Sequence, residues 1–163
     1  MKIRPADESD AEAIAGIWNL IIRASAFTFN SVEKAEGEVR EMISAKRVAG
    51  LPVLLADDGE VVGFATYGQF RLGVGYRRTM EHTIHVLPDG RRKGIGRGLM
   101  HSLETVARDR RVHSLIAGIS GENDGAIAFH KAIGYSEVAR LPQVGQKFGR
   151  WFDLVLMQKL LGS

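Results

Sequence analysis

The chain has 163 residues, of which 45% are hydrophobic and 25% are charged, and it contains no cysteine. This length predicts one domain over residues 1–163, large enough to bury a core without cross-links. The lack of cysteine excludes a disulfide scaffold, a thiolate metal site and a cysteine nucleophile. The N-terminus has no apolar signal region, and no apolar run approaches the roughly 18 residues of a membrane span. We therefore predict a soluble, cytoplasmic protein without a membrane partner.

Glycines and basic residues concentrate in the middle of the chain. Residues 71–97 contain seven arginines and lysines against two acids, although the net charge of the whole chain is only +3. A local excess of this kind indicates an anionic ligand. Fifteen of the 19 glycines lie between Gly59 and Gly149, so the same region also permits close approach to bare backbone.

Apolar periodicity and turn residues divide the chain into strands and helices. Apolar residues recur at helical spacing from Ile14 to Ile21, and an Asp-Gly turn between two apolar runs predicts a hairpin. The order is β-α-α-β-β-β-α-β-α-β-β, which predicts a single mixed α/β domain. The predicted segments are a strand at 2–5, a helix around 14–21, a loop at 24–31, a helix at 32–49, strands at 52–57 and 60–70, a loop at 71–78, a strand at 79–86, a helix at 95–111, a strand at 113–119, a helix at 123–133, and strands at 135–144 and 151–160.

The strongest chemical signal is a basic, glycine-rich turn between the strand at 79–86 and the helix that follows it. Successive backbone N–H groups around glycines at a helix N-terminus form a cradle for a pyrophosphate, and the basic side chains add positive charge. The alternative is a glycine-rich turn with a solvated basic cap. The residues that the pattern assigns to anion binding are Arg91, Arg92, Lys93, Gly94, Ile95, Gly96, Arg97 and Gly98.

Other ligand-binding and catalytic patterns are missing. The turn lacks a glycine at position 99 for a dinucleotide fingerprint, and the chain has no P-loop and no Gly-x-Ser-x-Gly elbow. His82 and His85 are three residues apart on a predicted strand, so they point to opposite faces and do not form a metal pair. We predict that no metal is needed. The basic cluster also lacks interleaved aromatic residues, which argues against a nucleic-acid partner.

The Arg-x-x-Gly-x-Gly turn at 91–96 resembles motif A of the GCN5-related N-acetyltransferases (GNAT), in which this loop holds the pyrophosphate of acetyl-CoA. The segment from Asn123 to Gly134-Tyr135 is similar to a second family segment, with His130 where the family usually has tyrosine. The element order is also the family order, so the resemblance covers nearly the whole chain. It implies the GNAT fold, a mostly antiparallel mixed sheet of about seven strands flanked by four helices, with acetyl-CoA as co-substrate.

The resemblance also implies where the thioester lies. In the family, the strand backbone at His85, Val86 and Leu87 grips the pantetheine arm and polarises the thioester carbonyl, and the segment that contains Asn123 and Ile133 flanks that arm. A donor at this point acts as an oxyanion stabiliser. These five residues complete the predicted acetyl-CoA site.

Direct acetyl transfer to an amine needs a base, because an α-amino group is mostly protonated at neutral pH. Glu81 is the candidate base, acting directly or through a water molecule; the alternative is a strand carboxylate paired with Arg77 or Arg78. His130 is the second predicted catalytic residue, which protonates the departing thiolate or orients the substrate. Its alternative is a half-buried helical histidine without a catalytic role.

A narrower resemblance concerns the acceptor. Glu81-His82, His130, the Phe27–Phe29 segment and residues 147–153 are similar to the phosphinothricin and methionine sulfoximine/sulfone N-acetyltransferases, which act on small amino-acid-like compounds. Arginines would meet the carboxylate of such a substrate, and aromatic side chains would pack its aliphatic stem. The residues assigned to this role are Phe27, Phe29, Arg71, Gly75, Tyr76, Arg77 and Trp151.

Other interpretations stay open from the sequence. The same fold also acetylates protein N-termini, lysines or other amines, and an acyl-CoA-binding module without turnover would carry the same pyrophosphate turn. The arginines of the 71–78 loop are alternatively solvated, and Trp151 alternatively fills the core or a dimer interface. A homodimer is expected by resemblance.

Overall fold

The computed structural model describes residues 1–90 and 93–162. In this part of the chain seven strands and four α-helices follow one another in the predicted order. The strands are β1 (Lys2–Pro5), β2 (Val53–Asp57), β3 (Val61–Gln69), β4 (Thr79–Val86), β5 (Ser114–Ser120), β6 (Ser136–Lys147) and β7 (Arg150–Leu160). The helices are α1 (Ala11–Ala24), α2 (Glu36–Val48), α3 (Ile95–Asp109) and α4 (Asp124–Ala132).

All seven strands belong to one sheet with the order β1-β2-β3-β4-β5-β7-β6. The neighbouring strands are antiparallel except for β4 and β5, which run parallel at the centre. This is the mixed, mostly antiparallel sheet of seven strands flanked by four helices that the sequence predicts. The prediction of the GNAT fold is confirmed.

Two apolar cores cover the two faces of the sheet. On one face, the stripe of α3 formed by Leu99, Leu103 and Ala107 packs on β3, β4, β5 and β7. On the other face, α1 and α2 pack through Ile14 and Ile43 against β2 and β3. Strand residues alternate between these faces, so successive side chains of β4 point into different environments.

Several predicted boundaries shift by one to four residues, and two of the shifts have a local explanation. The second helix begins at Glu36 rather than at residue 32, because the residues before it are not helical and Ala35 is extended. β6 continues to Lys147 instead of ending at 144, through a register shift between Leu141 and Gly145 in which Gln143 takes a positive φ of 54°. β6 is an edge strand, where a bulge and the proline at 142 are tolerated.

Candidate active site

The central parallel pair of strands opens into a cleft. β4 is paired with β5 only as far as the His82–Ala117 pair, although β4 continues to Val86 and β5 to Ser120. Beyond the last pair the strands separate, and the gap, together with α1, α3, α4 and the loop after α1, forms a cleft of about 830 Å³. This volume is in the range of small-molecule sites, roughly 300–1,000 Å³.

Glu81 lies where the two strands begin to separate. Its Oε2 atom lies over Gly118 of β5, at a point where an added Cβ would be only 2.9 Å away. The side chain is exposed to the cleft, and desolvation by the surrounding atoms raises the pKa of its carboxyl above the usual range. The Nε of Arg78 donates instead to the carbonyl oxygen of Arg111 at 2.8 Å, so it is not bonded to Glu81. None of the ion pairs among the described residues involves Glu81, so neither Arg77 nor Arg78 is paired with it and its carboxylate is open to the cleft.

The backbone of β4 presents hydrogen-bonding groups to the gap. Leu87 donates its N–H to the carbonyl oxygen of Val62 on β3 at 2.8 Å. Because bonded and non-bonded pairs alternate along an antiparallel ladder, His85 also faces β3, whereas Val86, which is opposite Gly63, directs its N–H and C=O toward the β5 side. Of the three predicted backbone positions, Val86 thus faces the gap.

The N-terminus of α3 faces the same cleft. Gly94 precedes the helix in the left-handed conformation, with φ of 78°. Apart from its immediate surroundings in the chain, no atom of the described residues lies within 4 Å of the position a Cβ would take. The helix has no side-chain N-cap bond and no acid in its first turn, so its first N–H groups and positive dipole end suit an anion. Gly94, Gly96 and Arg97 line the cleft. These residues fit the pyrophosphate-binding role that the sequence predicts.

His82 and His130 form a buried pair beneath the cleft. The Nδ1 of His130 lies 2.8 Å from the carbonyl oxygen of Ala126, and the two Nε2 atoms are 2.9 Å apart. A carbonyl oxygen can only accept a hydrogen bond, so Nδ1 of neutral His130 must carry the proton. Nε2 of His130 is then unprotonated and accepts from the Nε2–H of His82. The Nδ1 of His82 is then an acceptor, and it has no hydrogen-bond partner among residues 1–90 and 93–162. Both ring nitrogens of His130 are therefore occupied.

Burial keeps this pair neutral. Desolvation, reinforced by neighbouring His130, lowers the pKa of His82 to about 3, and desolvation also lowers the pKa of His130. His130 is 3% exposed, although it contributes to the wall of the cleft. The catalytic role of His130 stays a prediction. In this geometry Nε2 of neutral His130 carries no proton, and the proton on Nδ1 is bonded to the carbonyl oxygen of Ala126. To protonate a thiolate, Nε2 must therefore part from His82 and first take up a proton.

Aromatic side chains form the opposite wall. Phe27, Thr28 and Phe29, in the loop after α1, line the cleft together with Trp18 of α1. Trp18 packs against Phe64 with ring centroids 5.1 Å apart. This wall agrees with the predicted place of an aliphatic substrate stem, and it adds Trp18, which is not among the predicted site residues.

The structure brings together ten of the predicted site residues and leaves others outside. Those that line the cleft are Phe27, Phe29, Glu81, His85, Val86, Gly94, Gly96, Arg97, Asn123 and His130. Arg91 and Arg92 lie outside the described residues. The other predicted residues do not line it: Leu87, Lys93, Ile95, Gly98, Ile133, Arg71, Gly75, Tyr76, Arg77 and Trp151.

Two of the predicted acetyl-CoA residues outside the cleft, Ile95 and Gly98, pack against other parts of the chain. Gly98 faces Met1 and Ile3, and its N–H bonds to the carbonyl oxygen of Gly94. Ile95 is a core residue, 4% exposed. The predicted acetyl-CoA contacts of Gly98 and of the Ile95 side chain are therefore not supported by their placement.

The predicted acceptor-binding residues other than Phe27 and Phe29 lie on the surface of this chain. The loop that contains Arg71, Gly75, Tyr76 and Arg77 is exposed, and Trp151, in the β6–β7 hairpin, is 58% exposed. Leu87 lines a smaller apolar groove of about 200 Å³ beside the cleft. Arg71 lies 5.8 Å from the centre of the Tyr76 ring, so the loop has internal contacts but none that place these arginines in the cleft.

Sequence patterns did not identify several cleft residues. No local pattern assigns a role to Gly118, and only the folded chain shows that it lies under Glu81. The ring of Phe129 lies 3.3 Å from the position that a Cβ on Gly96 would take, which shows that Gly96 also permits close contact of α3 and α4. Ser120 and Leu154 line the cleft at the far end of β5 and on β7, where no local signal marks them.

Comparison with known proteins decides the family. The sequence pattern of the acetyltransferase (GNAT) domain matches residues 3–156. The chain belongs to the GNAT acetyltransferase family. It is 39% identical over 97% of its length to the L-amino acid N-acyltransferase MnaT of Escherichia coli, covering 92% of that protein. It is 38% identical, over 97% of its length and 93% of the relative, to the L-methionine sulfoximine/L-methionine sulfone acetyltransferase of Salmonella typhimurium.

More distant relatives and solved structures extend this picture of the GNAT chain. A phosphinothricin N-acetyltransferase of Alcaligenes faecalis is 32% identical over 99% of the chain and 83% of the relative. The yncA acetyltransferase of Salmonella typhimurium, solved with its cofactor acetyl-CoA, superposes with a TM-score of 0.96 at 36% identity, covering 100% of this chain and 95% of that one. A ribosomal-protein-alanine N-acetyltransferase of Brucella melitensis has a TM-score of 0.95 at 40% identity, covering 98% and 99%.

Residues 1–90 and 93–162 contain no group of three or more histidine, cysteine or acidic side chains placed to hold a metal ion. None of the helices in the same residues is both long and apolar enough to cross a bilayer.

Proposed function

We propose that the chain is an acetyl-CoA-dependent N-acetyltransferase that acetylates the amino group of a small amino-acid-like molecule by direct transfer. The observation that carries the proposal is Glu81 in the gap between β4 and β5, in the same cleft as the anion-binding N-terminus of α3. The named relatives support an acceptor of the methionine sulfoximine, methionine sulfone or phosphinothricin type.

The chain supplies a proton acceptor and a carbonyl-polarising donor for this reaction. Glu81 takes the proton of the substrate ammonium, directly or through water, which frees the nitrogen lone pair to attack the thioester carbon. The N–H of Val86 donates to the carbonyl oxygen as negative charge develops there, which is the role of an oxyanion hole. The C–N bond forms, and the nitrogen then loses the second proton that an amide does not retain. The C–S bond breaks and that proton goes to the departing sulfur, so that coenzyme A leaves as the free thiol. The raised pKa of Glu81 makes it a stronger base than an ordinary carboxylate.

Replacement of Glu81 tests the proposal. Glu81→Gln keeps the size of the side chain but removes the base, so kcat near pH 7 is expected to fall by about 10²–10⁴-fold. The KM for acetyl-CoA is expected to stay within about twofold, because Glu81 does not contact the α3 N-terminus. The assay is thiol release from acetyl-CoA with methionine sulfoximine, methionine sulfone and phosphinothricin as acceptors.

The matched control is Glu137→Gln, on the exposed edge strand β6, which is expected to behave as the unaltered chain. An unchanged kcat in Glu81→Gln would show that another group is the base. No thiol release with any acceptor from the unaltered chain would defeat the enzymatic proposal and favour an acyl-CoA-binding module.

A second candidate acceptor is a protein N-terminus. The solved structure that favours it is the ribosomal-protein-alanine N-acetyltransferase of Brucella melitensis. A peptide that begins with alanine, compared with free amino-acid analogues in the same thiol assay, separates the two. We expect the free amino-acid analogues to have the higher kcat/KM.

We also propose that the chain works as a homodimer. Exposed apolar side chains on β6, β7 and the turn between them support this, because a monomer rarely leaves such a patch uncovered. They are Val138, Leu141, Val144, Phe148 and Trp151. Light scattering should give twice the mass of the chain, and a monomer at all concentrations would contradict the proposal. Three other expectations remain predictions: that the reaction needs no metal, that the chain binds neither nucleic acid nor a membrane, and that it works in the cytoplasm.

A further inference from the structure

Lys147 is a buried lysine that the reaction does not use. It lies near the end of β6 and is 4% exposed. Its Nζ donates to three carbonyl oxygens: Ile22 at 2.6 Å, Ser25 at 2.7 Å and Thr28 at 3.0 Å. An ammonium group has three N–H donors, so all of them are satisfied by backbone. Lys147 takes part in none of the ion pairs among the described residues.

The three carbonyl groups belong to the C-terminal end of α1 and to the loop that follows it. A cation suits the negative end of a helix dipole, but Thr28 lies beyond the helix in the segment that forms the aromatic wall of the cleft. Burying an ammonium group without a carboxylate is costly. Because Thr28 is part of the aromatic wall, the hydrogen bond from Lys147 attaches that wall to β6.

Two more residues of the β6–β7 hairpin hold the same loop. Gly145 lies directly under the ring of Phe29, so that a Cβ there would overlap the ring. Phe152 of β7 stacks on Phe29 with ring centroids 5.7 Å apart. Gly145 and Lys147 are both buried and share one face of β6, whereas Gln146 between them is exposed. We call Gly145, Lys147 and Phe152 the loop clamp.

The other hydrogen bonds of the loop attach its ends to α1 or lie within it. Ser25 Oγ donates to the carbonyl oxygen of Ile21 at 2.9 Å, and Asn19 exchanges two hydrogen bonds with the backbone of Lys34. Between these ends the side-chain hydrogen bonds are local: Phe27 N–H to Ser25 Oγ at 3.2 Å, and Asn30 N–H to Thr28 Oγ1 at 3.4 Å. Such turns set local shape but do not attach a loop to a sheet. The loop clamp therefore supplies contacts that hold the middle of the loop, with its two phenylalanines, against the sheet.

We propose that Lys147 is a positioning residue for the acceptor, acting through the Phe27–Phe29 wall, and that the loop clamp determines affinity for the acceptor side chain. The proposal rests on the function proposed above. Because a site whose competent form is less populated binds proportionally more weakly, loosening the loop raises the KM for the acceptor. The N-terminus of α3 is not part of the loop, so the KM for acetyl-CoA stays nearly constant.

The test uses Lys147→Met and Gly145→Ala, with Gln146→Met as the matched control on the opposite face of β6. Each of the first two is expected to raise the acceptor KM by about tenfold or more, as expected if one tenth of the molecules hold the wall in place. The acetyl-CoA KM should stay within about twofold, and the control should match the unaltered chain. An acceptor KM unchanged in both variants, or an equal rise in both KM values, would overturn the proposal.

A second measurement separates this proposal from the function on which it rests. Chymotrypsin cleaves after phenylalanine, so faster cleavage at Phe27 and Phe29 in Lys147→Met and Gly145→Ala than in Gln146→Met supports the clamp without any turnover. Equal cleavage rates in all three variants refute it. If the unaltered chain acetylates no acceptor but the cleavage rates differ, the function fails and the clamp stands. If Lys147→Met does not fold, Gly145→Ala decides both measurements.

Discussion

Gly118→Ala is the most informative single change at the candidate base. The added Cβ would lie 2.9 Å from Oε2 of Glu81, but 3.6 Å from the nearest atom of Leu154, which is ordinary contact. The atom that must give way is therefore the far end of a flexible side chain, and the backbone of β5 needs no shift. Glycine in a strand is less favourable than alanine by roughly 0.5–1 kcal/mol. The free energy of unfolding is thus expected to stay the same or to rise slightly.

The displacement sets the size of the catalytic effect. Ordinary van der Waals contact begins at 3.4 Å, so the carboxylate must move by about 0.5 Å. Because a misplacement of about 1 Å lowers the rate roughly 10²-fold, we expect a fall in kcat of about tenfold. That fall equals about 1.4 kcal/mol of activation free energy. The KM for acetyl-CoA is expected to change by less than about twofold, because the new methyl group does not reach the α3 N-terminus.

Thiol release and thermal unfolding together test this reasoning. Gly37→Ala, at a helix position where no atom lies within 4 Å of the added methyl, is the control and should change neither kcat nor the KM values. If Gly118→Ala keeps the full kcat, Glu81 is not the base or is not held over Gly118. If the variant instead loses several degrees of Tm, the strand moves rather than the side chain, and the geometric argument is wrong.

Two further predictions concern stability. His82 has a folded-state pKa of about 3, below its value of about 6.5 in an unfolded chain. Its contribution to the free energy of unfolding is therefore complete above pH 6.5 and is lost as the pH falls toward 3, with a slope of up to about 1.4 kcal/mol per pH unit. Urea unfolding at pH 7, 6 and 5 should show a smaller fall of this free energy in His82→Gln than in the unaltered chain, and an identical fall would exclude this histidine as the cause. Glu104 is 5% exposed and accepts from Tyr135 and, at 2.7 Å, from Lys159, so Glu104→Ala should lower the free energy of unfolding by about 3–5 kcal/mol. Arg108→Met, which removes the exposed partner at 3.6 Å, should change it by less than about 1 kcal/mol, and equal effects of the two changes would contradict this comparison.

Patterns with a local cause were predictable from the sequence. The order of the strands and helices, the hairpin at the Asp-Gly turn and the extent of β4 follow from apolar periodicity and turn chemistry, which act between residues close in the chain. The left-handed Gly94 at the start of α3, on which the predicted anion-binding turn depends, follows for the same reason, since Gly94 and the helix are adjacent. Glu81 and His130 were identified through the family resemblance of the segments in which they lie.

The tertiary structure decided what depends on contacts between distant segments. The separation of β4 from β5 creates the cleft, and no local signal records where two strands cease to pair. The same is true of Gly118 under Glu81, of the His82–His130 pair, and of Lys147 bound to carbonyl groups more than 100 residues earlier. In each case the partner is specified by the packing of the sheet. The sequence by itself thus determined the order of the elements and predicts an anion-binding turn, whereas the walls of the cleft and the surroundings of its titratable groups required the folded chain.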